Sequence, residues 1–213
     1  MHDKPGKVLK QKQRHTERGE AQKQKLVNAA YDIIAEQGFE GLRTREVALR
    51  AKLNISTLHY YFASKEDLVR SVAQRLLSEF KAASEAEGVQ PGAMGLLRKA
   101  FSDQTQVIQR RPATYIVVME LFTRSLHDRK LGPVVRELLE TWERHFTSFI
   151  KDGVRGGQIS SDSDGLNTTR ALQSLLLGRA LIFLVTGEDP STDSIFEQVR
   201  QWLSPHSNGG MAR

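Results

Sequence analysis

The 213-residue chain contains no cysteine. This absence excludes disulfide bonds, zinc sites built on thiolates, iron–sulfur clusters and thiol catalysis, and it fits a reducing cytosol. The first twenty residues are polar and have no apolar core stretch, so we expect no secretory signal. The longest apolar run, residues 180–185, is far shorter than the roughly 20 residues that span a bilayer. The sequence therefore predicts a soluble, cytoplasmic protein that is not bound to a membrane.

Positive charge is concentrated in the first third of the chain. Residues 1–70 hold 14 Lys and Arg against 9 Asp and Glu, a balance of +5, whereas residues 71–213 hold 17 against 16, a balance of +1. Such asymmetry favours an N-terminal module that approaches a polyanion, with nucleic acid the leading candidate. A membrane surface, an acidic partner or a merely solvated basic tail is also compatible with the charge alone.

Helical periodicity extends along the chain, and no segment predicts a strand. Residues 1–20 are basic and poor in hydrophobic residues, which indicates a flexible arm. The first helix carries an apolar face that ends at Gly38, and short helices follow at 45–51 and 55–62 before a long one that starts near residue 65. Later helices are predicted at about 92–110, 112–126, 133–153, 164–186 and 191–203. The fold class is therefore all-α.

Three N-cap candidates stand close together, which indicates short helices joined by tight turns. They are Thr44, Asn54 and Ser64. The tripeptide 52–54 predicts a turn between two helices, and small Ala51 before it allows them to cross closely. In the second helix Leu58, Tyr61 and Phe62 share one face by their spacing. The other side is left exposed and is rich in hydroxyl, imidazole and phenol groups, which bind phosphates and base edges. Its residues are Ile55, Ser56, Thr57, His59 and Tyr60.

Residues 58–68, LHYYFASKEDL, resemble the signature TLYxYF-x-SKExL of the TetR family. The resemblance extends without a gap from about residue 22 to residue 80. It implies an N-terminal helix-turn-helix DNA-binding domain over residues 21–81, with the helix-turn-helix at about 44–63. It also implies a C-terminal helical domain over 82–204 that binds a ligand and dimerises, followed by a disordered tail, 205–213. Two residues depart from the family pattern, because Lys52 and Ser56 stand where glycine is common.

The resemblance also implies roles for individual residues in DNA binding. Phosphate contacts at the start of the first of the two helices are assigned to Thr44 and Arg45, and Arg45 is a candidate for a base contact as well. Base reading is assigned to Asn54, Ile55, Ser56 and His59. A second phosphate-binding set consists of Thr57, Tyr60 and Lys65. The alternatives are that Tyr60 or His59 packs against the first helix, and that Lys65 is an ordinary surface lysine.

Residues 175–185 are almost wholly apolar, and a helix that is apolar all round must be covered on every side. Related TetR proteins pair their last two long helices with those of a second subunit, and we expect the same for 164–186 and 191–203. The alternative is one helix buried within its own subunit. The expected dimer interface residues are Leu177, Leu181, Leu184, Ile195, Val199 and Trp202.

The helices between the two ends are expected to enclose a ligand cavity, since they combine aromatic side chains with a few polar groups. The candidate ligand residues are Tyr115, Met119, Glu120, Trp142 and His145. The alternative is that the aromatic residues are ordinary core and that Glu120 pairs with Arg124. No cofactor or metal is expected.

The sequence thus predicts a transcriptional regulator, a repressor that binds double-stranded DNA at an inverted repeat as a homodimer and is released by a small-molecule effector. One alternative is a DNA-binding nucleoid or scaffold protein that binds no ligand. Another is a helical enzyme or adaptor, which we set aside because the adjacent pairs His127-Asp128 and Glu188-Asp189 do not face each other on a helix and the chain has no phosphate-binding loop.

Overall fold

Helices make up almost all of the computed structural model, which describes the backbone of residues 5–85, 92–188 and 191–205 and the side chains of residues 17–79, 92–188 and 191–205. Over these residues there is no strand, and the all-α prediction is confirmed. The helices are α1 (Pro5–Gly41), α2 (Thr44–Arg50), α3 (Ile55–Tyr61), α4 (Lys65–Glu85), α5 (Gly92–Arg110), α6 (Pro112–Ser125), α7 (Gly132–Arg155), α8 (Gly165–Thr186) and α9 (Thr192–Leu203).

Helix α1 begins earlier than the sequence predicted. It starts at Pro5, whereas the sequence predicted helix only after about residue 20; residues 1–4 lie outside the described part, and the flexibility of the basic arm over residues 1–20 stays a prediction. Proline favours the first position of a helix, and the Lys, Gln and Arg residues that follow are good helix formers. Near its other end α1 is broken at Gly38, whose φ of 64° and ψ of −171° are not helical. Gly38 is thus the predicted end of the regular helix.

The caps decide where the short helices start. Asn54 caps α3, because its Oδ1 accepts a hydrogen bond from the Thr57 N–H at 2.7 Å. Ser64 precedes α4, and its Oγ accepts from the Asp67 N–H at 3.1 Å. Both predictions are confirmed. The prediction for Thr44 is wrong: α2 already includes Thr44, and the residue before it, Arg43, makes no side-chain cap.

The turn between α2 and α3 is closed by backbone hydrogen bonds and passes through the left-handed region. The Leu53 N–H donates to the Ala48 carbonyl at 2.9 Å, and Lys52 has a φ of 55°. Ala51 is buried where the two helices meet. The predicted turn is confirmed, and the lysine occupies the conformation that glycine adopts most easily.

One apolar core joins the N-terminal helices to the middle of the chain. It contains the inner faces of α1 to α4 together with residues from α6 and the start of α7. Those later residues are Val117, Val118, Leu121, Leu131 and Val135. A second core is formed by α5, α7, α8 and α9, and a small third cluster lies around Ile108, Tyr115 and Ala180. The N-terminal helices are therefore packed directly on the C-terminal region.

We predict that Lys52→Gly stabilises the protein by about 0.5–1 kcal/mol, because glycine removes the steric cost of the left-handed turn. The greater backbone entropy of glycine in the unfolded chain offsets part of this stabilisation. The measurement is the urea midpoint and slope. Lys52→Ala is the matched control, because it removes the same charge and keeps the Cβ. Equal stabilisation by both variants would contradict the strain argument.

Candidate nucleic-acid interface

The inner side of α3 is fixed by two fully buried side chains. Leu58 and Phe62 are 1% and 2% exposed. Tyr61 is half-buried, and its hydroxyl donates to Oε1 of Gln22 on α1 at 3.2 Å. The predicted inner face of α3 is confirmed, and α1 and α3 are joined by a polar contact as well as by apolar packing.

The other side of α3 is open to solvent. Tyr60 is 82% exposed and contacts the edge of the Tyr61 ring, with centroids 5.0 Å apart. Thr57 is half-buried, and the remaining outward residues, Ile55, Ser56 and His59, are exposed. The alternative in which Tyr60 or His59 packs against α1 is not what the structure has, since Tyr61 takes that place.

Asn54 has a structural role beside the one predicted for it. Its Oδ1 accepts from the hydroxyls of Ser56 and Thr57 at 2.8 and 2.6 Å as well as from the Thr57 N–H. The amide nitrogen carries two further N–H donors. Asn54 therefore orders the first turn of α3, and the two hydroxyls keep lone pairs available as acceptors.

At the start of α2, Thr44 is half-buried and Arg45 is exposed. Leu49, near the end of the same helix, is 72% exposed. Nothing in the spacing of apolar residues singled it out, because the pattern placed only Val47, Ala48 and Ala51 inward. Leu49 is therefore a large apolar side chain that α2 leaves exposed.

Lys65 is not the free surface cation that its position suggested. Its Nζ donates to the carbonyl oxygen of Phe39 at 3.3 Å, and the residue is half-buried. Burial lowers the pKa of the Lys65 ammonium group, and the nearby Arg124 guanidinium lowers it further, whereas Glu40 and Glu66 act in the opposite direction. Lys65 ties the start of α4 to the end of α1, and its predicted contact with a phosphate stays a prediction.

Glu120 also differs from its prediction as a ligand anchor. Its Oε2 accepts a hydrogen bond from the N–H of Phe39 at 3.3 Å, and a Cβ placed on Gly38 would lie 3.3 Å from its Oε1. The Arg124 guanidinium carbon lies 5.9 Å from the centre of the Phe39 ring. Glu120 on α6 therefore contacts the end of α1. The N–H of Phe39 is bound by the side chain of Glu120 and its carbonyl oxygen by the side chain of Lys65.

Of the other candidate ligand residues, three lie together and one lies apart. Tyr115 is buried, and Met119 and Trp142 pack against the same small cluster. His145 instead packs against Phe149, with ring centroids 4.3 Å apart. Three clefts found on the described surface, of about 670, 450 and 390 Å³, are not lined by any of these residues. The predicted ligand cavity stays a prediction.

Beside this cluster lies a buried cation that the sequence analysis missed as a site residue. Arg179 on α8 is 3% exposed and donates to Oε1 of Gln104 and to the hydroxyls of Thr105 and Thr192 at 3.2, 2.7 and 2.8 Å. Burial raises the pKa of Tyr115 to about 12, although its hydrogen bond with Gln104 and the charge of Arg179 both act against that rise. The one available signal was an arginine within an apolar stretch. These residues form a buried polar cluster between α5, α6, α8 and α9.

The predicted dimer residues divide into three groups by exposure. Leu181 and Trp202 are 49% and 66% exposed, whereas Leu177, Leu184 and Ile195 are half-buried. Val199 is 1% exposed and lies in the core of its own subunit, so its assignment to the interface is wrong; α9 turns Phe196, Val199 and Leu203 inward. Ile182 and Val185, which were not singled out, are 55% and 77% exposed.

Helix α8 is long and apolar enough to span a membrane by length and composition, but this is weak evidence because core helices of soluble proteins meet the same criteria. Only 28% of its most apolar window is buried in the subunit. Within the described residues there is also no group of three or more His, Asp or Glu placed to hold a metal ion.

Two family models cover most of the chain. Residues 26–72 match the bacterial regulatory proteins of the tetR family, and residues 93–206 match the C-terminal region of BetI-type transcriptional repressors. The chain belongs to the TetR family. As a TetR-family protein it is a ligand-responsive, DNA-binding transcriptional regulator, which confirms the predicted class of function.

Relatives of the whole chain agree with this family. The transcriptional regulator UidR of Escherichia coli is 22% identical over 184 residues, which are 82% of this chain and 86% of UidR. Among solved structures, a regulator from Saccharomonospora viridis in complex with choline has a TM-score of 0.74 at 19% identity, over 84% of this chain and 94% of its own. FadR of Bacillus subtilis in complex with stearoyl-CoA has a TM-score of 0.70 at 17% identity, over 84% and 95%. These structures show that the fold is shared along almost their full length.

We predict that Tyr115 stays protonated in the folded protein until about pH 12, two units above the ordinary value of about 10. Because the folded pKa is raised, the stability that this group contributes is complete below pH 10 and is lost as the pH rises towards 12. The measurement is the ultraviolet absorbance of tyrosinate as a function of pH, taken as the difference between the wild type and the Tyr115→Phe variant. The difference should arise near pH 12 in the folded protein and near pH 10 in urea, with circular dichroism confirming the fold. A difference near pH 10 in the folded protein would contradict the burial argument.

Proposed function

We propose that this TetR-family protein is a cytoplasmic repressor that binds an inverted-repeat operator as a homodimer and leaves it when a small effector binds. The single observation that carries the proposal is the open side of α3, which presents polar and aromatic groups while Leu58 and Phe62 hold the helix from behind. The family models support the division into a DNA-binding domain over 21–81 and a ligand-binding and dimerisation domain over 82–204, since one model matches residues 26–72 and the other matches residues 93–206.

In the proposed complex, α3 lies in the major groove. Its exposed side chains Ile55, Ser56 and His59 read base edges, and the amide nitrogen of Asn54 donates at the start of the helix. Contacts to phosphates come from the start of α2 and from the rest of α3. The phosphate-binding residues are Thr44, Arg45, Thr57 and Tyr60. Two such helices about 34–36 Å apart in a dimer fit two half-sites one turn of DNA apart.

The proposed dimer forms through α8 and α9. Four large apolar side chains on these helices are half or more exposed, which is unusual for the surface of a soluble monomer. They are Leu181, Ile182, Val185 and Trp202. A four-helix bundle with a second copy covers them, and it also accounts for the low burial of α8 in a single subunit.

The effector is proposed to bind near Tyr115, Met119 and Trp142, next to the buried polar cluster around Arg179. Choline and stearoyl-CoA, bound by the two solved relatives, differ greatly in size and charge, so they name no effector for this chain. The effector must bind more tightly to an arrangement of the two subunits in which the α3 helices no longer match the spacing of the major groove. A ligand with equal affinity for both arrangements does not change their populations.

A route for this change is the contact of Glu120 and Lys65 with the Phe39 peptide. Glu120 lies on α6, directly after Met119 and five residues after Tyr115, and Lys65 opens α4. A displacement of α6 therefore acts directly on the end of α1 and, through it, on the helix that follows α3. We propose this junction as the link between effector binding and the position of α3.

We predict that Tyr60→Ala weakens binding to all duplexes by on the order of tenfold, since it removes a phosphate contact, while His59→Ala changes the preferred base at one position of each half-site by about 1–3 kcal/mol. The measurement is operator selection from randomised duplexes, followed by titration of the selected and a scrambled sequence.

Two controls make this prediction specific. Tyr60→Phe keeps the ring and loses the hydroxyl, so it should bind as weakly as Tyr60→Ala. Leu126→Ala changes a leucine that is 78% exposed on the C-terminal region and should leave binding unchanged. Unaltered affinity in Tyr60→Ala together with unaltered preference in His59→Ala would remove both assignments.

We predict that Leu181→Glu raises the dissociation constant of the dimer by on the order of 100-fold or more, because each interface then buries two unpaired carboxylates. Light scattering over a dilution series measures the mass. Ser102→Glu, which introduces the same charge at an exposed position of α5, is the control and should stay dimeric. A Leu181→Glu protein that is still dimeric at the lowest concentration would place the interface elsewhere.

A further inference from the structure

A groove of about 670 Å³ lies between α1 and α3, on the side where α3 is proposed to meet DNA. Four residues of α1 form one wall and four residues of α3 form the other. The wall residues are Arg18, Gly19, Glu20 and Gln22 from α1, and Ser56, Thr57, Tyr60 and Tyr61 from α3. The groove therefore combines residues 18–20, which the sequence assigned to a flexible arm, with the helix proposed to read bases.

The two walls are held in a fixed relation. The Tyr61 hydroxyl donates to Oε1 of Gln22, and the α1 backbone comes so close at Gly19 that a Cβ there would lie 3.4 Å from the same hydroxyl. Tyr61 in turn supports the Tyr60 ring edge to face. The groove is a built feature of the fold, since these contacts set its width.

The chemistry of the groove suits an anion with several oxygen atoms. Arg18 is exposed, and among the described residues it takes part in no ion pair. The hydroxyl of Tyr60 and the amide nitrogen of Gln22 supply further donors, whereas the proton of the Thr57 hydroxyl is already donated to Asn54. Glu20, a carboxylate on the same wall, opposes an anion, so the groove holds one charge that attracts a phosphate and one that repels it.

The position of the groove indicates which anion it meets. When a helix enters the major groove of DNA, the strands that border that groove pass on either side of the helix. The element that flanks the helix therefore meets sugar-phosphate backbone and not base edges. On one side of α3 the flanking element is α1 with Arg18.

We propose that this groove binds a phosphate of the operator backbone, with Arg18 supplying the charge and with Tyr60 and Gln22 supplying hydrogen-bond donors. The proposal rests on the DNA-binding function proposed above. It adds α1 to the DNA-contacting elements and makes Glu20 a residue that limits affinity. Because α1 is already helical at Arg18, it holds this phosphate-binding residue in place beside α3.

The test measures the binding of a fluorescent duplex, selected from a randomised library, by the full-length protein between 50 mM and 300 mM salt. Arg18→Gln should weaken binding roughly tenfold near 0.1 M salt and reduce the salt slope by about 0.9 for each bound subunit. Glu20→Gln should act in the opposite direction and strengthen binding. Base preference should be the same in both variants, since phosphate contacts carry no sequence information.

The matched control is Arg155→Gln, which changes another exposed arginine, at the far end of α7, and should bind DNA like the wild type. If Arg18→Gln and Glu20→Gln both bind with wild-type affinity and salt slope while the wild type binds its selected duplex, the groove proposal is overturned and the proposed function stands. If Arg18→Gln changes base preference, Arg18 contacts a base and the phosphate assignment is overturned. If the wild type binds no duplex at low salt, both proposals fail together.

Discussion

The structure depends on the burial of Leu58 and Phe62 beneath a helix of only seven residues. A helix of that length is not stable alone in water, because the cost of its first turn is never recovered. Burying each of these side chains contributes about 1.5–3 kcal/mol, and the Asn54 cap satisfies donors that would otherwise be left open. The open side of α3 exists because this anchoring needs only one side of the helix.

The support for α3 comes from far along the chain. Residues of α6 and the start of α7, such as Val117 and Val135, lie in the same apolar core as the N-terminal helices. A close-packed core transmits displacement, since its parts cannot move past each other without loss of contact. The N-terminal helices therefore rest directly on α6 and the start of α7.

Local signals predicted most of the helices, and long-range contacts account for what they missed. The caps at Asn54 and Ser64 depend on neighbours within three residues, and the sequence displays them directly. The partners of Lys65 and Glu120 stand 26 and 81 residues away, at Phe39, and no local pattern encodes them. The contacts of this lysine and this carboxylate within the protein therefore could not be predicted, and their assignments to phosphate and effector stay predictions.

The other errors concerned which face of a helix turns inward and how deeply a single side chain is buried. In α9 both Ile195 and Phe196 precede Val199 at helical spacing, and only packing decides which side turns inward; the structure buries Phe196. The burial of Arg179 depends on hydroxyl and amide partners from α5 and α9, which spacing within α8 cannot reveal. At the N-terminus, the low hydrophobicity of residues 1–20 led to the prediction that helix begins only after them, although helix propensity does not require apolar residues.

The junction at Phe39 is made through main-chain atoms, and this has a consequence for how the protein tolerates change. The N–H and the carbonyl belong to every residue at that position except proline, which lacks the N–H. The phenyl ring is 8% exposed in the N-terminal core, so a change of side chain acts on these hydrogen bonds through packing and not by removing a partner. In the proposed link, only changes of the Glu120 carboxylate or the Lys65 ammonium group remove a hydrogen-bonding group directly.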